Sequence, residues 1–115
     1  MIFPVDLIAT IDRYKTGLKV NDMPLEQVPR SIAAYDTRGF IKLIRNKKTH
    51  KLVGARILAS EGSELLMELS MAIKFGITTE ELSPYCHPYL TLFEGIKLAA
   101  TTFEKNIAYL SCCAS

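Results

Sequence analysis

Gly39-Phe40-Ile41-Lys42-Leu43-Ile44-Arg45, then Asn46-Lys47-Lys48-Thr49-His50-Lys51, then Leu52-Val53-Gly54-Ala55-Arg56-Ile57-Leu58-Ala59, is the stretch that decides the fold. Both flanks are β-rich and the segment between them is polar, so the reading is a β-hairpin. In the second flank Val53, Ala55, Ile57 and Ala59 alternate onto one face, which is then apolar throughout and needs a cover. Upstream, Leu18 to Met23 reads as a further strand, followed by a connector that contains Pro24 and Pro29. Ile8 to Ile11 reads as an opening strand, with a helical turn over the polar residues that follow it, up to Gly17.

Downstream, the spacing predicts helices that supply the cover. Ser60 is placed to cap one that runs to about Phe75, where Gly76 supplies a stop signal. Its core stripe is Leu65, Leu66, Leu69, Ala72 and Ile73, yet Met67, Met71 and Phe75 carry the apolar surface well beyond that stripe. A second copy of the chain could cover the extra face, or one crowded monomer core could absorb it. Thr78-Thr79-Glu80-Glu81 opens a short helix as a capping box, and Thr91-Leu92-Phe93-Glu94 opens a longer one. The last helix places Leu92, Ile96, Ala99, Ala100 and Phe103 on one stripe and ends near Lys105 and Asn106. The expected architecture is α+β: an antiparallel sheet of about four to five strands with helices packed on one face. It spans residues 1–106, and residues 107–115 form a tail too short to fold by itself.

Composition narrows the function classes. With 115 residues, 49% of them hydrophobic, the chain can bury one core without disulfide help. The formal charge of +2 is small and its basic residues are scattered, apart from Lys47, Lys48 and Lys51 in the hairpin turn, which argues against a nucleic-acid partner. No apolar run approaches the roughly 20 residues of a spanning helix. The opening Met1-Ile2-Phe3-Pro4-Val5-Asp6 lacks the pattern of a secretory signal, so the expected location is the cytoplasm. There the three cysteines remain thiols.

Two of those thiols are adjacent. Consecutive Cα atoms lie about 3.8 Å apart, while disulfides prefer about 5.5 to 6 Å, so a Cys112–Cys113 bond would be strained and easily reduced. Two soft sulfurs near a chain end match a thiophilic ion that accepts low coordination. Hg(II) fits that description and Cu(I) is a rival, whereas structural zinc wants about four ligands. Adjacent cysteines also arise by chance or for lipidation. A terminal lipidation box would read Cys112-Cys113-Ala114-Ser115, without aliphatic residues at both central positions and without a polybasic stretch before it.

Four segments together resemble the end of the mercuric reductases, within the pyridine-nucleotide disulfide oxidoreductases. They are Val28-Pro29-Arg30-Ser31-Ile32-Ala33-Ala34-Tyr35-Asp36-Thr37-Arg38-Gly39-Phe40-Ile41-Lys42-Leu43, Leu52-Val53-Gly54-Ala55, Pro88-Tyr89-Leu90-Thr91-Leu92-Phe93-Glu94-Gly95-Ile96-Lys97-Leu98-Ala99-Ala100 and Leu110-Ser111-Cys112-Cys113-Ala114. The likeness is dense from Val28 onward and thinner before it, and the segment from Ile11 to Gly17 looks shortened against the family. The resemblance implies a homodimer in which Cys112 and Cys113 of one subunit collect Hg(II) and pass it by thiol exchange to a cysteine pair beside the flavin of the other. It also implies a role for Cys86-His87-Pro88-Tyr89. Related dihydrolipoamide dehydrogenases carry Cys-His-Ala-His-Pro-Thr-Leu-Ser-Glu, which ends in a catalytic His-Glu pair. Counting back from Glu94 by that spacing reaches Tyr89, so a phenol replaces the base, the pattern of a Tyr that helps hold mercury in the partner's active site. Tyr89 and Glu94 are then the candidate catalytic residues, and Cys112 and Cys113 the candidate mercury ligands. From the residues alone, Tyr89 reads as a core or surface aromatic, Glu94 as part of the Thr91 cap, His87 as a partly buried loop histidine, and Cys86 as a small hydrophobe or third thiol.

Reduction of Hg(II) requires FAD, NADPH and a redox cysteine pair, and here no Gly-x-Gly-x-x-Gly follows a strand and no Cys-x4-Cys occurs. The chain alone is therefore not expected to catalyse. Three roles remain open: the interface part of a flavoprotein that includes flavin and nucleotide domains, a free-standing dimeric mercury-sequestering module, or a purely structural dimerisation domain.

Overall fold

The computed structural model describes residues 17–106. The expected opening strand Ile8–Ile11 lies outside them, as does the tail with Cys112 and Cys113. Within them the chain forms strand β1 (Leu18–Pro24), a 3-10 turn (Leu25–Gln27), helix α1 (Pro29–Ala33), strands β2 (Phe40–Asn46) and β3 (Leu52–Leu58), a 3-10 turn (Gly62–Leu65), and helices α2 (Leu66–Lys74), α3 (Thr79–Leu82) and α4 (Leu92–Thr101). The class is α+β as expected, although the described sheet has three antiparallel strands in the order β1-β2-β3 rather than four to five.

The hairpin forms where the sequence places it. Asn46 accepts backbone N–H bonds from Lys48 at 2.8 Å and Thr49 at 3.0 Å through its side-chain oxygen, which folds the turn locally. The alternation read in the second flank breaks at Val53. Ile44 pairs with Gly54 but Arg45 pairs with Leu52, so Val53 is the extra residue of a β-bulge. The bulge turns the buried Leu52 toward the core beside Ala55 and Ile57, and leaves Val53 only partly buried.

Helices α2 and α4 cover the face made by Ile41, Leu43, Ala55 and Ile57, with Leu65, Leu69, Ala72, Ile96 and Ala99 buried between the layers. The stop of α2 is a Schellman motif. Gly76, at φ +63, donates its N–H to Ile73 at 3.2 Å, and the Ile77 N–H reaches the Ala72 carbonyl at 2.9 Å. Its start differs from the expected one. Ser60 does not cap: its hydroxyl donates to Asp36 at 2.5 Å, Glu61 adopts a left-handed conformation, and the chain enters α2 through the 3-10 turn. The Thr78 capping box with Glu81 is present in full.

Buried Arg45 lies on the core side of β2. Its guanidinium sits 4.4 Å from the centroid of the Phe103 ring, donates to Thr79 at 2.8 Å and Glu80 at 3.2 Å, and pairs with Glu104. At the same end β1 turns polar groups inward. Asn21 donates its amide to the Ala99 carbonyl at 2.8 Å and to Thr102, and the Lys19 ammonium reaches the Phe103 carbonyl at 3.0 Å. The Ala99 carbonyl near the end of α4 and the Phe103 carbonyl just beyond it thus accept donors from the sheet.

Gly39 opens β2 at φ +116, and a Cβ there would lie 1.8 Å from the Leu58 carbonyl oxygen. Gly39→Ala should therefore part β2 from β3 at that end and lower unfolding stability by at least about 3 kcal/mol, read from the urea midpoint.

Candidate functional site

Cys112 and Cys113 fall outside the described residues, so the site that can be built is the loop between α3 and α4, which carries Tyr85, Cys86, His87 and Tyr89. Proline at position 88 and the helix stop at Ser83 keep this segment out of regular structure. Tyr85, Tyr89 and Leu90 are exposed, Tyr89 to 62%, and Cys86 is an exposed free thiol.

The loop is pinned from beneath. Glu94, only 5% exposed, accepts the Leu90 N–H at 2.9 Å. Leu90 has φ +60, a conformation that costs a residue with a Cβ about 1–2 kcal/mol, and the buried carboxylate holds it there. The Thr91-to-Glu94 box is thus not formed as expected: the Thr91 hydroxyl turns back to the Pro88 carbonyl at 2.7 Å, and no side chain caps α4. Tyr89 and Glu94 are brought into one loop-and-helix unit in which Glu94 organises backbone and Tyr89 faces outward.

The partner that His87 finds has no local signal in the sequence. The His87 side chain is 3% exposed, with Nε2 at 2.5 Å from Glu68 of α2 and Nδ1 at 2.9 Å from the Tyr85 carbonyl. Both ring nitrogens face acceptors, so the geometry asks for the imidazolium, the one form with two N–H donors. The Glu68 hydrogen bond raises the His87 pKa above its ordinary value, against the opposing effects of burial and the nearby Lys97. The second Glu68 oxygen is buried without a hydrogen-bond partner.

Elsewhere, ligand atoms of His50, Glu80 and Glu104 lie within 4.8 Å of one another. The Arg45 guanidinium already bonds both carboxylates, and a dication would meet that fixed positive charge, so the cluster is an ion-pair network. The Arg45 hydrogen bond holds the Glu104 carboxyl below its usual range. For Glu80 burial acts upward, and hydrogen bonds from its own backbone and from His50, with the charge of Arg45, carry it net downward.

The sign of the pH effect follows for His87. A raised folded-state pKa means the pair's stabilisation is complete below about pH 6.5 and is lost as pH rises through the raised value. Urea midpoints measured from pH 6 to 9 should fall with pH in the wild-type chain, and Glu68→Gln should flatten that slope.

The sequence matches the family profile described as "Pyridine nucleotide-disulphide oxidoreductase, dimerisation domain" over residues 9–100. Among curated proteins, it is 49% identical over 92 residues to a mercuric reductase of Shewanella putrefaciens, covering 80% of this chain and 16% of that enzyme. It is 39% identical over 121 aligned positions to a mercuric reductase of Shigella flexneri, covering 99% of this chain and 22% of that enzyme. The chain thus spans about a fifth of the length of the curated relatives it matches. In solved structures the fold recurs in LpdA from Mycobacterium tuberculosis, with a TM-score of 0.79 at 24% identity over 85% of this chain and 21% of that one. It recurs also in a Cu(II) complex of the HOCl-induced flavoprotein disulfide reductase RclA from Escherichia coli, with a TM-score of 0.75 at 22% identity over 83% and 22% of the two chains. The antiparallel sheet, the helices packed against one face of it and the profile match over most of the sequence agree, and this chain belongs to the dimerisation-domain family of the pyridine nucleotide-disulphide oxidoreductases.

Proposed function

We propose that this chain is the dimerisation module of a mercuric-reductase-like flavoprotein, pairing with a second copy of itself and presenting Cys112 and Cys113 to Hg(II). The observation that carries the pairing is the second face of α2, where Met67, Met71 and Phe75 are 68, 52 and 67% exposed while Leu69 and Ala72 on the same helix are buried. They recur at i, i+4 and i+8, so they form one apolar stripe turned away from the sheet. The loop bearing the exposed Tyr85 and Tyr89 is tied to this helix by the His87–Glu68 contact. Met and aromatic side chains are the ones enriched where protein surfaces meet.

Mercury capture is supported by the mercuric reductases among the relatives and by the chemistry of vicinal thiolates. Ligand exchange lets one thiolate attack the ion as another leaves, so a tandem pair can pass Hg(II) onward without releasing it. Tyr89, outward-facing on a pinned loop, is the group proposed to reach into the partner's site, while Glu94 secures that loop. A reducing cytoplasm would keep the pair as thiols.

FAD and NADPH belong to the rest of such an enzyme. The described sheet is antiparallel, without the parallel β-α-β crossover whose glycine-rich turn cradles a dinucleotide, so the described residues do not fit either cofactor.

Titration of the purified chain with Hg(II), against a modest excess of competing thiol, should show one ion per chain, or one per pair of chains if two tails share it. Capture should disappear when Cys112→Ala and Cys113→Ala are combined, and a wild-type chain that left mercury to the competitor would overturn the capture reading. Separately, Met71→Glu places a charge at the centre of the apolar stripe and should weaken self-association at least about 100-fold in sedimentation, with the fold retained. A wild-type chain that stayed monomeric throughout the micromolar range would defeat the pairing.

A further inference from the structure

We propose that Glu68 and His87 are a positioning pair for the Tyr89 loop, acting from the helix that also carries the proposed pairing face. The significance for mercury rests on the reading of Tyr89 above, whereas the positioning itself rests on geometry alone.

Three observations converge on it. The His87 ring is 3% exposed and is held at both nitrogens, on one side by Glu68 of α2 at 2.5 Å and on the other by the Tyr85 carbonyl of its own loop at 2.9 Å. It therefore joins the loop to a rigid helix rather than to itself. The Glu68 carboxylate keeps one oxygen buried and unpartnered, which makes the pair an expensive arrangement that an apolar contact of equal volume would better as pure stabilisation. What an ion pair supplies and an apolar contact does not is direction: two N–H bonds fix the ring plane and with it the backbone of residues 85–87. Two residues further on, Tyr89 precedes the left-handed Leu90, whose N–H is held by Glu94. The loop thus has an anchor on each side of Tyr89, His87 to α2 and Leu90 to α4. With both in place, the path of the chain through Tyr89 is determined relative to Met67 and Met71. Without the Glu68 contact the segment from Tyr85 to His87 loses its tie to α2, while the Thr91-to-Pro88 and Leu90-to-Glu94 bonds remain.

The test uses the full chain, labelled with nitrogen-15. At pH 6 the His87 ring should show both nitrogens protonated, and the Leu90 amide should exchange slowly with solvent. Glu68→Gln keeps the shape and removes the charge: Leu90 exchange should rise at least tenfold and the resonances of residues 85–90 should shift, while Leu69 and Ala99 keep their protection. His87→Ala should do the same, and His87→Gln, which retains a donor for Glu68, should recover part of the protection. Two results would overturn the proposal: Leu90 exchange within twofold of wild type in Glu68→Gln, or core amides losing protection in step with Leu90, since the pair would then hold the fold and not the loop. None of these readouts involves mercury. A chain that ignored Hg(II) yet loosened its loop in Glu68→Gln would defeat the capture reading and leave the positioning pair intact.

Discussion

A guanidinium buried on the core side of a strand must be satisfied, and much of this structure is arranged around the one on Arg45. Stranding such a charge costs several kcal/mol, while pairing it recovers the cost only when geometry and hydrogen bonds are both good. Here the ring of Phe103 lies against its flat face, Thr79 and Glu80 come from the start of α3, and Glu104 comes from beyond the end of α4. Pairing the two Nη groups of a single side chain of β2, whose Nε is buried without a hydrogen bond, therefore fixes where two helices begin and end. The same corner gathers the Asn21 bond to the Ala99 carbonyl of α4 and the Lys19 bond to the Phe103 carbonyl just beyond it, so the end of the described chain is tied to the sheet by polar contacts. Those contacts are directional, and they hold the segment through Glu104 against the sheet.

With that end fixed, the hydrophobic layer has little choice. Helix α2 can lay only one side on the sheet, and Leu65, Leu69 and Ala72 occupy it. Each half- to two-thirds-exposed methionine or phenylalanine side chain on the opposite side leaves about 1–2 kcal/mol of burial unclaimed. Among the described residues α4 packs over β1 and β2, and the stripe stays exposed. No crowded core among the described residues takes up the stripe, and the two-sided character of α2 agrees with a family defined by dimerisation.

Features with local causes were legible in the sequence. The hairpin, the Gly76 stop and the Thr78 capping box each depend on residues within a few positions of one another, and each stands where it was read. Features that depend on distant partners were not legible. Ser60 looked like a helix cap because nothing nearby shows that Asp36, 24 residues earlier, will take its hydroxyl. Glu68 and His87 are 19 residues apart, and Arg45 meets partners 34 to 59 residues away. The bulge at Val53 is an intermediate case. Strict alternation predicted the wrong inward residue, yet the glycine beside it was a signal, since an isolated glycine inside a strand often marks irregular pairing. For the site, the likeness to mercuric reductases pointed to Tyr89 and Glu94, and the structure separates their parts: Glu94 is buried on a backbone amide, and Tyr89 is presented.

That separation follows from how strain is distributed. Tyr35, His50, Glu61 and Leu90 all adopt positive φ without being glycine, and each sits at a reversal between elements. Such conformations persist only where the surroundings over-determine them. At His50 the ring meets Glu80 and the carbonyl accepts the Thr79 N–H at 3.0 Å, which locks the hairpin tip onto α3. At Leu90 the lock is a single carboxylate from the buried side of α4, and the residue immediately before it is the outward-facing Tyr89. A loop placed this way combines exposure with a definite position, which free loops lack and helices achieve only along their own surface. Burying Glu94 to hold Leu90 converts packing of the core into placement of a phenol at the surface, and so joins the stability of the sheet-and-helix body to the geometry of its outward face.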